Sequence, residues 1–282
     1  MPKTILITGA AGSVGRKLTA HFRSKRHTLL LVDVAAPPQD DLIEQVDLAE
    51  WGAWADRFRG VDCIIHLAAH ADIDADWRSL ARNNIDATLN VFEAAARGGA
   101  KRVIYASSGF VVEGHRDSDL PIDEDVAPAP INPYGASKLA GEWIARSFSA
   151  SRDLSVICFR IGACGGDGEN RSCLQLGDTL WQQRKWLSDR DLRDAFDRGV
   201  HAPDSIRFEI FNLVSSNRGM RWDMSKAERL LGFRAADGGV PRVPSPRERM
   251  KRRLKAWLAS VLSRFSPRPP KAGAMVDAPR KG

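Results

Sequence analysis

The chain has 282 residues, 43% of them hydrophobic and 27% charged, an ordinary balance for a globular protein with one large core or a core and a small lobe. Its net charge of +7 belongs to the C-terminal end: residues 245–282 hold eleven Lys and Arg against Glu248 and Asp277, and the rest is close to neutral. An enzyme body with a basic appendage is therefore expected, not a nucleic-acid-binding fold.

The first element organises the others. Thr4–Ile7 is an apolar run without polar alternation, as in a strand buried on both faces of a parallel sheet. It leads through Thr8 into Gly9-Ala10-Ala11-Gly12-Ser13-Val14-Gly15, with a helix predicted over Arg16–Arg23. Glycines at such a strand-to-helix turn let a pyrophosphate approach the free N–H groups of the helix. The spacing is G-x-x-G-x-x-G, and alone it also describes a plain turn. A second apolar run, Thr28–Val32, ends in Asp33, near the offset at which an acid receives the adenosine ribose hydroxyls. An acid there repels a 2′-phosphate and favours NAD over NADP.

Farther on, Val46-Asp47-Leu48 reads as a short strand whose acid faces the adenine edge, and Trp51–Arg59 as a helix. Val61–Leu67 is a fourth strand, with Leu67, Ala68 and Ala69 offering small residues and a strand end where a cofactor passes closely. Trp77–Arg97 has helical periodicity. Asn84, polar on its apolar face, either shapes the active-site floor or is satisfied by backbone. Lys101–Ser108 is a fifth strand. This rhythm predicts an α/β fold with a doubly wound parallel (Rossmann) sheet, whose ligand crevice lies at the carboxyl ends of the strands. Thr8, Asp33, Leu67 and Ser108 all fall there.

Asn132-Pro133-Tyr134-Gly135-Ala136-Ser137-Lys138 then opens a helix, with Asn132 as cap and Pro133 in the first position. Tyr134 and Lys138 are four apart on one face. A phenol is a poor base at neutral pH, and a nearby ammonium is expected to lower its pKa from about 10. With the Ser108 hydroxyl to orient a substrate oxygen, the set forms a proton-transfer apparatus beside a hydride acceptor. The cysteines, Cys63, Cys158, Cys164 and Cys173, lack zinc-site spacing and read as reduced thiols. No metal is expected.

In this order, TGAAGSVG, Asp33, Asp47-Leu48, HLAA, Asn84, the serines of Ala106–Ser108, YGASK and Arg160-Ile161-Gly162 resemble the extended short-chain dehydrogenase/reductase superfamily, which includes NAD-dependent sugar epimerases, dehydratases and dehydrogenases. The resemblance covers Lys3 to about Ala236. It implies Tyr134 as general acid/base, Lys138 as ribose binder and pKa modulator, and Ser108, ahead of Ser107, as partner of the substrate oxygen. NAD contacts are implied for Gly9, Ala11, Gly12, Ser13, Val14, Gly15, Asp33, Asp47, Leu48, Leu67, Ala68, Ala69, Asn84, Tyr134 and Lys138.

Ser108-Gly109-Phe110 replaces the Thr-Asp-Glu of the dehydratases, and Val112-Glu113-Gly114 the Val-Tyr-Gly of the epimerases. From Arg160 onward the chain is more similar to uronate dehydrogenases, through RIGAC, Arg171, Trp186-Leu187-Ser188 and the stretch Phe211–Phe233. That resemblance implies Ser108, Gly109 and Arg171 as substrate contacts, Arg171 either gripping a sugar carboxylate or standing as a loop arginine. Gly109-Phe110 and Ala163 depart from the uronate pattern of Asn-His and Ser.

The expected organisation is a Rossmann domain over 1–160, a small substrate lobe over 161–244, and a strand near 208–214 returning to the main sheet. A basic tail follows over 245–282. Within it Met250, Leu254, Trp257, Leu258, Val261, Leu262 and Phe265 recur at helical spacing among Lys and Arg, as in a helix for an anionic membrane surface, a partner, or the protein's own body. Without a basic and apolar leader before the first strand, a cytoplasmic enzyme is expected. Three functions remain: a net NAD-dependent dehydrogenase on a sugar or sugar acid, an epimerase that retains its NAD, or a noncatalytic NAD-binding scaffold. The resemblance further implies a homodimer.

Overall fold

A computed structural model describes residues 1–35, 42–164, 172–251 and 254. The chain divides into two units, Met1–Arg242 and Val243–Gly282. In the first, the elements run β1 (Thr4–Thr8), α1 (Ser13–Ser24), β2 (Thr28–Asp33), β3 (Ile43–Gln45), β4 (Cys63–His66), α2 (Trp77–Leu80), a π-helical turn (Ala81–Asp86), α3 (Ala87–Gly98) and β5 (Arg102–Ser108). There follow α4 (Pro133–Ser151), β6 (Ser155–Ile161), β7 (Ala163–Cys164), α5 (Leu180–Arg184), β8 (Trp186–Leu187), α6 (Asp189–Val200), β9 (Phe208–Leu213) and α7 (Ser225–Leu231).

Among the described residues, seven strands form one sheet in the order β3-β2-β1-β4-β5-β6-β9, every pairing parallel. The order reverses between β1 and β4, and a crevice opens outside the carboxyl ends at such a switch point. Alternation along each strand feeds two cores. Ile5, Ile7, Ile104, Phe159 and Phe211 pack beneath α1, α6 and α7. Leu6, Ile64, Val103, Tyr105 and Val156 pack with Val91, Phe92 and Ala95 of α3 and Ala145 of α4 on the other face. Each fully buried side chain of this size is worth about 1.5–3 kcal/mol in transfer from water, which is why the strands read as apolar runs.

Two elements differ from the sequence reading. Val46–Leu48 is not a strand; β3 precedes it, and Val46 N donates to Asp33 O (2.8 Å) as the chain leaves the sheet. Val46 and Leu48 are buried in the loop, so the apolar-acid-apolar alternation records packing rather than pairing. In place of a longer helix, Ala53–Phe58 is a 3₁₀ segment.

Arg171 lies outside the described residues, as does all of the amphipathic stretch 247–265 except 247–251 and 254. At the start of the second unit, Ser245 and Glu248 exchange backbone-to-side-chain bonds of 2.8 and 3.3 Å, a capping box. Among the described residues no helix is long and apolar enough to cross a membrane.

Candidate active site

At the end of β1 the chain turns at Gly9, whose φ of 71° favours glycine and whose added Cβ would lie 2.7 Å from Ala68 N. Gly12 N closes the turn onto Gly9 O (3.1 Å). Gly12 is the N-cap of α1 and supplies no side-chain cap, and with Ser13 and Val14 it lines the crevice, so the positive end of the helix dipole faces it. A Cβ on Gly15 would overlap Gly9 O; its absence seats α1 against the turn. Asp33 locks this arrangement, its Oδ2 accepting from Ala11 N (2.9 Å) and its Oδ1 from Ala35 N (3.0 Å).

These groups line a cavity of about 710 Å³. Gly9, Ala11 and Gly12 with Ser13, Val14 and Gly15 form one wall, Asp33, Asp47 and Leu48 one end, and Leu67, Ala68 and Ala69 the facing wall. A helix N-terminus, a glycine edge and an acid at the end of β2 fit a dinucleotide's pyrophosphate and ribose. Asp47 is held by Arg82 through bonds of 2.8 and 3.2 Å, and that pairing lowers its carboxyl pKa below the ordinary value.

Asn84, read as a cofactor contact, is instead buried behind the crevice. Its Oδ1 accepts from His70 N (2.7 Å), and its Nδ2 donates to His70 O (3.1 Å) and Ser137 Oγ (2.9 Å). Its neighbour Asn83 lines the cavity. The π-turn sets this exchange: its extra residue rotates Asn84 inward toward α4.

The second cluster sits where β5 ends and α4 begins. Asn132 Oδ1 accepts from Gly135 N (2.7 Å), and Pro133 starts the helix. Farther along, Gly141 has no Cβ to overlap the Tyr105 hydroxyl. Glu142 pairs with Arg160 through two 2.9 Å bonds and accepts from Ser107 Oγ (2.6 Å), all buried. The helix is thereby pinned to β5 and β6, and this pins the height of Tyr134 above Ser108. Ser107 is thus spent on Glu142, while Ser108 bonds Tyr134.

Burial pushes the Tyr134 phenol up to about 12, against the pull of its hydrogen bond with Ser108. The ammonium was expected to lower it, but Lys138 Nζ lies 5.9 Å from the Tyr134 ring centroid and donates to Ala106 O (2.9 Å). Desolvation outweighs the charge at that distance, and burial brings Lys138 itself down to about 8. Gly109 is buried at the start of the 3₁₀ turn that Ser108 caps.

The sequence reading missed the neighbouring wall. Phe110 meets Tyr134 edge-on, with centroids 5.8 Å apart, and carries Lys185 Nζ 4.5 Å from its ring centroid. Lys185 is buried against Glu113 at 2.8 and 3.1 Å, and Trp181 Nε1 donates to Glu113 Oε1 (2.8 Å). The one signal was an acid ending the apolar run Phe110–Val112. Trp222 packs on Trp181, centroids 4.4 Å apart.

A glycine turn at the switch point, an acid ending β2, and a serine, tyrosine and lysine meeting at the end of β5 define a dinucleotide-dependent enzyme. The chain belongs to the NAD dependent epimerase/dehydratase family, which matches residues 5–213, and so is an enzyme of the extended short-chain dehydrogenase/reductase type with NAD as its cofactor. It is 31% identical over 230 residues to the uronate dehydrogenase of Pseudomonas syringae pv. tomato, covering 80% of this chain and 79% of that one. To the L-arabinose 1-dehydrogenase (NAD(P)+) of Haloferax volcanii it is 29% identical over 251 residues, covering 84% and 97%. The solved structure of a mutated uronate dehydrogenase superposes with a TM-score of 0.72 at 28% identity, covering 96% of this chain and 90% of that chain.

Proposed function

We propose that this protein oxidises a hydroxyl of a sugar or sugar acid, with Tyr134 as the general base. The observation that carries this reading is the meeting of Ser108, Tyr134 and Lys138 at the carboxyl end of β5. Bound NAD supplies the hydride acceptor. Ser108 holds the substrate oxygen, and Tyr134 Oη takes the hydroxyl proton as the carbon gives up its hydride. Lys138, with a pKa near 8, holds the ribose and favours the phenolate electrostatically.

The substrate class is supported by the uronate and arabinose enzymes among the relatives. Residues 161–244 make the substrate lobe in this reading, and Arg171 grips a substrate carboxylate. The protein acts as a homodimer through the outer faces of α3 and α4, where Leu89 and Trp143 stand exposed; sedimentation at monomer mass would remove that part.

The test is absorbance at 340 nm with added NAD across uronic acids, aldoses and nucleotide sugars, beside Tyr134→Phe. NADH from a free sugar or sugar acid, lowered about 10³-fold in the variant, is the expected result. A Tyr134-dependent epimer of a nucleotide sugar without free NADH moves the assignment to epimerase. Silence in both leaves a substrate outside the panel or an NAD-binding scaffold.

A further inference from the structure

His66 has no place in the proton transfer just described, yet it stands in the middle of a buried polar chain. Thr88 Oγ1 donates its one proton to Asn84 O (2.6 Å). At 3.0 Å from His66 Nε2 it is therefore the acceptor, and Nε2 carries the ring proton. Nδ1 is then bare and accepts from Thr8 Oγ1 (2.7 Å), which itself accepts from Ala68 N (3.2 Å). Burial, reinforced by the charge of Lys138, pushes His66 down to about 3 and keeps this tautomer neutral.

The chain continues from Asn84. Its Nδ2 donates to Ser137 Oγ (2.9 Å), and Ser137 Oγ donates to Tyr134 O (2.7 Å). Thr8, His66, Thr88, Asn84 and Ser137 are each at most 1% exposed, so water does not substitute for a missing member. One end lies at Thr8 and Ala68, flanking Gly9 in the dinucleotide crevice; the other is the backbone of the tyrosine.

We propose that His66 is a positioning residue: through Thr88, Asn84 and Ser137 it couples the glycine turn and Ala68 to the first turn of α4, so that filling the crevice with NAD tightens the seat of Tyr134. The significance for catalysis rests on the dehydrogenase reading; the coupling itself does not. A dinucleotide seated on Gly9 and Ala68 restrains the Thr8 end. Because each hydroxyl and ring nitrogen in the chain is assigned a single direction, and Asn84 is held in place by its two bonds to the His70 backbone, the restraint passes along a fixed path.

Thr88→Val tests it, since the residue is buried outside the crevice lining and valine keeps its shape. Hydrogen exchange at the amides of residues 135–139 is measured with and without NAD, without substrate, in the full chain. The wild type and Thr88→Ser, which restores the hydroxyl, are expected to gain about fivefold protection with NAD, the scale of one net hydrogen bond. Thr88→Val is expected to bind NAD within about twofold of wild type, well under that scale, yet lose the protection. Ser137→Ala, a smaller change at the far end, should give the same loss. Protection retained in both variants, even with a lowered melting temperature, overturns the coupling and leaves His66 a packing residue. Thr88-dependent protection in a protein that makes no NADH from any sugar would keep the coupling and sink the dehydrogenase reading.

Discussion

Around the glycine turn, backbone carries the site: Gly9, Gly12 and the start of α1 line the crevice, and Asp33 fixes the turn through Ala11 N from 22 residues away. Around Phe110, side chains carry it. Glu113 meets Lys185 across 72 residues of sequence and Trp181 across 68, and both charges are buried. The nucleotide half is thus specified by local steric rules that tolerate no extra atom. The half around Phe110 is specified by charge balance, which tolerates paired change.

Substitutions at two glycines break the nucleotide half in different ways. Gly15→Ala drives a Cβ into Gly9 O and within 2.7 Å of Ala10 Cα; with only backbone to yield, a cost of about 3 kcal/mol is expected, together with loss of NAD binding by calorimetry. Gly12→Ala meets only Gly9 O, at 3.2 Å. It should keep the melting temperature near wild type while weakening NAD binding at least about tenfold, because the methyl occupies the pyrophosphate's approach.

In the half around Phe110, Glu113→Gln leaves the Lys185 charge buried and unpaired. It should cost about 3 kcal/mol in denaturant unfolding and raise KM for the sugar while leaving the NAD dissociation constant unchanged. Adding Lys185→Met should recover most of the stability, since an uncharged pair has no desolvation to offset. Failure of that recovery would mean that the pair acts through geometry rather than charge.

A pH-dependent effect lies where the halves meet. Lys138 titrates near 8 in the folded protein and near 10.4 when unfolded. Between those values the unfolded chain binds the extra proton, so stability rises with pH. Against Lys138→Met, the wild type should therefore gain melting temperature from about pH 8 to about pH 10; a constant difference would show that the amine is not desolvated.

This contrast also explains what the sequence disclosed. The turn, Asp33 and the Tyr134 helix are visible because each is fixed by spacing within one or two elements. The sheet followed from apolar runs, although Val46 and Leu48 mimicked a strand because burial at a crevice rim leaves the same alternation. Lys185 gave no sign, because its partner is set by the juxtaposition of β8 with the 3₁₀ turn after β5. The raised pKa of Tyr134 was equally hidden: spacing predicts that a lysine is near, but not that burial outweighs it. Asn84 was recognised as an unusual polar residue on an apolar face, and only the π-turn revealed which way it points.

That turn also limits which changes of length the gene can accept. From Trp77 to Gly98 the chain is nearly one continuous helix, carrying one surplus residue within Ala81–Asp86. Deleting a single codon there would restore an ordinary α-helix and preserve every apolar residue of α3. It would leave the turns on either side near their present register but remove the local widening that directs Asn84 toward both His70 and Ser137. Length variation is thus expected to be shed into the surface loops, where a codon more or less disturbs no register.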